Sequence, residues 1–115
     1  MSKTTLFSSF NNKSLSLDNR IVMAPMTRQF SPDGIPTSDV AGYYRRRAEG
    51  GTGLIITEGT TVNDKVATMG ATIPRFHGED ALEGWKQVVD EVHNAGGKIM
   101  PQIWHVGMAR VAENA

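Results

Sequence analysis

Residues 80–103 read DALEGWKQVVDEVHNAGGKIMPQI, and the hydrophobic period changes once inside that stretch. Leu82, Trp85, Val88, Val89 and Val92 fall at i, i+3, i+6, i+7 and i+10, so a helix would carry them all on one face. Asp80, followed three residues later by Glu83, has the form of a capping box, and Gly96-Gly97 closes the apolar series. Lys98-Ile99-Met100-Pro101-Gln102-Ile103 then reads as a strand, with one irregularity: Pro101 has no N–H to give to a ladder.

The same alternation extends upstream. Leu54-Ile55-Ile56-Thr57 is short, apolar and β-branched, a buried strand that ends in Glu58-Gly59-Thr60-Thr61. Before it, Val40, Tyr43, Tyr44 and Ala48 recur at helical spacing from Ser38 to Glu49, with Thr37 or Ser38 able to cap the start and Gly50-Gly51 to end it. Arg20-Ile21-Val22-Met23-Ala24 reads as a strand buried on both faces that stops at Pro25. Residues 1–19 suggest a short hairpin or cap, with the turn at Asn11-Asn12. The polar stretch up to Glu79 is long enough to be either functional or an excursion with minor structure of its own.

The order is therefore hairpin, then β-α-β-α-β over residues 20–115, an α/β pattern that implies parallel pairing through right-handed crossovers. It fits the N-terminal part of a (β/α)8 TIM barrel, and equally a doubly wound sheet; the residues alone leave both open. At 115 residues the chain can hold one compact core and belongs to a single domain, but a complete barrel needs about 250 residues.

Twelve Lys and Arg balance twelve Asp and Glu, so there is no net charge to attract nucleic acid or anionic lipid. The absence of cysteine excludes disulfides, thiolate metal sites and a cysteine nucleophile. Met-Ser-Lys-Thr-Thr-Leu-Phe has no signal-peptide core, and no apolar run approaches the roughly 20 residues of a membrane helix, so a cytoplasmic protein is expected.

In either architecture, ligands bind beyond the carboxyl ends of the parallel strands. Three segments occupy that rim: Pro25-Met26-Thr27-Arg28, Glu58-Gly59-Thr60 and Gln102-Ile103-Trp104-His105. They supply a hydroxyl, a small residue with open backbone, a primary amide and a large aromatic, a set suited to holding a planar heterocycle rather than to hydrolysis. A flavin ring needs hydrogen bonds at N5/O4 and N3/O2 and backbone close to one face.

Four strings make this specific. Asn19 to Arg28, Tyr43-Tyr44 with Arg47-Ala48, Leu54 to Thr60, and Gln102-Ile103-Trp104-His105-Val106-Gly107 resemble the old yellow enzyme family of NADH:flavin oxidoreductases, or ene-reductases, in order and spacing. The resemblance favours the barrel. It implies FMN as cofactor, NADPH or NADH as reductant, and hydride delivery to the C=C bond of an activated alkene such as an α,β-unsaturated carbonyl.

Carried over by position, it implies that Thr27 bonds the flavin O4/N5 edge while Ala24, Pro25 and Met26 line the ring with backbone atoms. Gly59 would lie beside the pyrimidine edge, Gln102 would bond N3/O2, and Trp104 would shape the substrate cavity. Two departures are Met108-Ala109 standing before Arg110, where the family often has arginine directly after the glycine, and Pro101. The family's substrate-binding His/Asn pair, its tyrosine proton donor and its phosphate loops would all lie beyond Ala115. The expectation for this chain is thus an N-terminal piece without most of the catalytic residues, or alternatively a non-catalytic partial barrel or one part of a multi-chain assembly. In that case a second copy or a complementing barrel segment would cover its outer strands.

Other residues carry plainer expectations. Glu58 reads as a buried structural acceptor, since no second carboxylate accompanies it. His105 reads as making a supporting hydrogen bond, and His77, Glu79, Asp80 and His93 match no metal-ligand spacing. Arg45-Arg46-Arg47 fan around a helix and read as a solvated face. Gly50-Gly51-Thr52-Gly53 precedes a strand, the wrong context for a dinucleotide loop.

Overall fold

The computed structural model describes residues 3–110. A single helical turn, α1 (Lys3–Leu6), leads into an antiparallel hairpin of β1 (Phe10–Asn12) and β2 (Leu15–Leu17). The hairpin is where the sequence suggests, but its turn is Lys13-Ser14, with Lys13 at φ 51°. Asn11 and Asn12 pair with Ser16 and Leu15.

The body of the chain is a three-stranded parallel sheet in the order β3 (Val22–Met23), β4 (Leu54–Thr61), β5 (Ile99–Trp104). The crossovers carry α2 (Ser38–Glu49) and α3 (Glu79–Asn94). The β-α-β-α-β order is the expected one, and the sheet is open among the described residues.

The core forms where the apolar faces of the two helices meet β4. Val40, Ala41, Tyr44 and Ala48 of α2, Ile55 of β4, and Trp85, Val88 and Val92 of α3 make one buried cluster. Each large side chain taken from water into such a cluster contributes about 1.5–3 kcal/mol, enough to fix which faces turn inward. Arg45 adds an ion pair between the helices, to Glu91, beside its pair with Glu49 on α2.

Several sequence expectations need correction. β3 is two residues long and Val22 is 47 % exposed, because among the described residues β4 is its one neighbour and the other edge is open. β4 runs on through Glu58, Gly59, Thr60 and Thr61, which are buried. Their polar atoms are paired across the excursion that follows: the Thr61 N–H donates to Pro74 O, and the Thr60 hydroxyl donates to the same carbonyl.

That excursion does have minor structure, including a bridge between Thr61 and Arg75 and buried Ala67 and Ile73. Neither helix has a side-chain cap. α2 starts after Thr37 without one, and α3 starts at Glu79 after Gly78, so Asp80 lies inside the first turn, where its charge favours the dipole. Along α3, Leu82 is left 45 % exposed while Trp85, Val88 and Val92 are buried. The arginine run is not a uniformly solvated face either. Arg45 is ion-paired, and Arg47 lies over the Tyr43 ring at 3.6 Å and donates to the Tyr43 carbonyl.

Candidate functional site

Pro101 organises the far end of the sheet. β4 and β5 pair regularly at Ile55–Ile99 and Ile56–Met100, then resume at Gly59–Gln102, so Thr57 and Glu58 together oppose Pro101. Two residues against one is a β-bulge, which bends a strand and re-aims the side chains after it. It falls where the partner residue has no N–H to offer. The Thr57 hydroxyl, 2 % exposed, takes over the ladder by accepting the Gln102 N–H at 3.1 Å while donating to Glu58 O at 2.8 Å.

Beyond the bulge, Gly59 and Gln102 are side by side. Gln102 and Trp104, two apart on one strand, share a face. The Trp104 indole lies against Gly59, where a Cβ would collide with its ring atoms. Gly59 is therefore on that same face, and its smallness serves Trp104.

The segment after β3 reaches the same end of the sheet. Ala24, Met26 and Thr27 are exposed and Pro25 is half-buried. The next residue, Arg28, directs its amide to Glu58 Oε1 at 3.4 Å, which ties the end of this segment to β4. The Arg28 guanidinium stacks on Tyr43, 3.5 Å from the ring centroid, and also faces Phe30 at 4.9 Å.

Glu58 is 1 % exposed. Its Oε2 accepts the Tyr44 hydroxyl at 3.3 Å, and that hydroxyl in turn accepts the Glu58 N–H at 2.8 Å. Burial pushes the Glu58 carboxyl above the ordinary carboxylate range, against the pull of the Arg28 amide and guanidinium and the Tyr44 hydroxyl. Burial likewise raises the Tyr44 hydroxyl. Glu58 is thus the buried acceptor its sequence context suggests. His105 makes a local hydrogen bond, its Nδ1 accepting the Gly107 N–H at 3.0 Å, with Asp64 at 3.8 Å from Nε2.

All three rim segments expected to touch a ligand therefore stand at the carboxyl ends of adjacent parallel strands. Among the described residues, the Thr27 hydroxyl and the Gln102 side-chain amide have no partner within the chain, whereas the Gln102 backbone is already bonded. One free hydroxyl and one free amide, which can both donate and accept, match the polar edge of a flavin ring. The donor set thus fits the group. Among the described residues, no three His, Asp or Glu side chains gather as a cation cage, and no helix is long and apolar enough to cross a membrane.

The partners of Glu58 could not be read from the sequence. Tyr44 is fourteen residues away, and the one hint is that Tyr44 lies on the buried stripe of its helix, where a hydroxyl needs a bond.

Comparison with known proteins gives concordant results. The profile of the NADH:flavin oxidoreductase / NADH oxidase family matches residues 5–115. The 12-oxophytodienoate reductase 7 of Oryza sativa subsp. japonica is 41 % identical over 104 residues, 90 % of this chain and 26 % of that protein. Morphinone reductase, solved in complex with tetrahydroNAD, superposes with a TM-score of 0.85 at 41 % identity, covering 91 % of this chain and 28 % of the other. The old yellow enzyme homologue from Zymomonas mobilis superposes at 0.86 with 32 % identity, covering 96 % and 30 %. The chain spans about a quarter of the length of the curated relatives it matches. These neighbours are barrels, so the open sheet is the N-terminal part of a (β/α)8 barrel and not of a doubly wound fold.

Proposed function

We propose that this chain, which belongs to the NADH:flavin oxidoreductase / NADH oxidase family, forms the pyrimidine-edge wall of an FMN site in an NADH- or NADPH-dependent ene-reductase. The observation that carries the reading is that the segment of Thr27, tied to Glu58 through the Arg28 amide, reaches the same end of the sheet as Gly59 and Gln102, with the Thr27 hydroxyl and Gln102 amide uncommitted among the described residues. Bound FMN would supply hydride transfer from the reduced nicotinamide to the β-carbon of an activated alkene, such as an α,β-unsaturated carbonyl.

The chain's own residues orient and tune. Thr27 donates at the O4/N5 edge, favouring the more electron-rich ring. Gln102 matches N3/O2 with one acceptor and one donor, fixing the ring in its plane. Ala24, Pro25 and Met26 present backbone to it, and Trp104, seated on Gly59, walls the space where the alkene would lie.

In the full-length protein, a yellow chromophore is expected, with NADH or NADPH oxidation that depends on an added enone such as 2-cyclohexenone. Thr27→Ala should slow flavin reduction or reoxidation about three- to tenfold, the equivalent of one lost hydrogen bond. A full-length protein with no bound flavin, or unchanged half-reaction rates in Thr27→Ala, would contradict the reading.

A second reading, a partial barrel acting as one piece of a multi-chain assembly, is favoured by the exposed Val22 and Ile103 on the two outer strands. It predicts that the chain alone takes up flavin weakly or not at all and gains it on adding a complementing barrel segment. A stoichiometric yellow complex of the isolated chain would argue against it.

A further inference from the structure

Glu58 is a buried carboxyl that the flavin reading leaves without a task. Taking such a group out of water is costly unless its oxygens are satisfied. Here they are satisfied by groups from two other elements: the Tyr44 hydroxyl of α2 at 3.3 Å and the Arg28 amide at 3.4 Å. The second bond stands out because Arg28 is the residue after Thr27 and lies in a stretch with no strand ladder of its own. β3 ends at Met23, so among the described residues the chain between Met23 and Arg28 has no sheet pairing to fix it.

The other end of the device is rigid. The Tyr44 hydroxyl accepts the Glu58 N–H at 2.8 Å, and Tyr44 is 1 % exposed within the helix–sheet core. The bulge carrying Glu58 is fixed by Thr57 and the Gln102 N–H. The Glu58 side chain thus runs from a fixed anchor to the backbone of a segment whose other tie to the fold is the Arg28 guanidinium stacked on Tyr43.

We propose that Glu58 is a positioning residue for the flavin edge: anchored by Tyr44, its carboxylate holds the Arg28 amide and so sets where the adjacent Thr27 hydroxyl stands. The inference rests on the flavin reading for Thr27 and adds to it the source of that hydroxyl's placement. The same bulge holds the Gln102 backbone, so one feature of β4 places both polar contacts to the ring.

The test is a double-mutant cycle in the full-length holoenzyme, read as flavin midpoint potential and rate of flavin reduction. Glu58→Leu keeps the bulk and removes the acceptor, and should slow reduction three- to tenfold and shift the potential in the same direction as Thr27→Ala. Glu58→Gln, whose oxygen can still accept the Arg28 N–H, should restore most of the rate. In the Thr27→Ala background, Glu58→Leu should change neither quantity further, because groups acting in series are not additive. Where Glu58→Leu fails to fold, Tyr44→Phe, which loosens the anchor alone, takes its place in the cycle with the same expectation.

Fully additive effects, or a Glu58 variant that lowers thermal stability while leaving potential and rate unchanged, would overturn the proposal and leave the flavin reading standing. A Thr27→Ala enzyme with normal potential and rates would instead remove the flavin reading, and this inference with it.

Discussion

Replacing Gly59 by alanine adds one methyl group, in a direction the structure has already filled. A Cβ there would overlap three atoms of the Trp104 indole, and an indole is a rigid plate that cannot bend out of the way like the end of a lysine. Overpacking of this kind costs about 1–3 kcal/mol. Working against it, alanine has fewer unfolded conformations than glycine, and Gly59 is not among the residues with positive φ, so the native backbone accepts alanine at a gain of about 0.4–1 kcal/mol. The clash is the larger effect, and Gly59→Ala should be net destabilising.

The sign of the effect should depend on Trp104. With Trp104→Ala already in place the obstruction is gone, the backbone term alone remains, and Gly59→Ala should become stabilising by about 0.4–1 kcal/mol. The assay is urea unfolding of the four proteins of the cycle at constant m-value, followed by circular dichroism so that loss of Trp104 does not remove the signal. A destabilisation by Gly59→Ala that is the same with and without Trp104 would show that the indole does not occupy this space, and the account of the shared face would fail with it.

Thr57→Val keeps the shape and removes the hydroxyl, leaving the Gln102 N–H without its acceptor; about 1–3 kcal/mol should be lost, while Thr57→Ser retains most of it, as thermal or urea unfolding can check. Gly84→Ala within α3 would gain about 1 kcal/mol on helix propensity alone, yet its Cβ would meet the Pro36 carbonyl, a backbone atom; we expect lower stability, and an increase would refute the contact. The Glu58 carboxyl is raised above its ordinary 4.5 by burial, so the native state binds its proton more tightly than the unfolded chain. Stability then falls as pH rises from about 4.5 through the raised value, and Glu58→Gln, which has no proton to lose, should gain on the wild type over that interval. A stability difference between the two that stays flat from pH 4 to 8 would rule this out.

Both helices were legible because each carries an apolar stripe that only one packing satisfies. Val40, Tyr44 and Ala48, and Trp85, Val88 and Val92, are the buried residues their spacing predicts. The end of β4 was not legible, because Glu58, Gly59, Thr60 and Thr61 look like a loop until their polar atoms find Pro74 and Tyr44 across the fold. Burial of the β3 strand was overestimated for a related reason, since an apolar run shows what a strand tolerates but not whether a neighbour covers it. For the site, the residue types at the strand ends pointed to a planar ligand and the family resemblance to a flavin. That the Thr27 hydroxyl and Gln102 amide are unpaired among the described residues, and that Glu58 ties into the same region, depends on distances that spacing along the chain does not encode.

Pro101 shows how an apparent defect can instead position a site. Counting by twos from Ile55, which faces the helices, an unbroken β4 would place Thr57 and Gly59 on the helix side and Glu58 on the opposite face. On β5 the same count from Ile99, aligned with Ile55, puts Gln102 and Trp104 on the face away from the helices. Without correction, Gly59 and Gln102 would look in opposite directions and Glu58 would point away from Tyr44. One extra residue in β4 reverses the parity of everything after it, as a one-residue slip always does. The bulge opposite Pro101 supplies that residue, so Glu58 reaches Tyr44 on α2 while Gly59 joins Gln102 and Trp104 on the other face. A proline that weakens the strand when read in sequence is, in the fold, the partner of the irregularity that brings the proposed flavin contacts to one side.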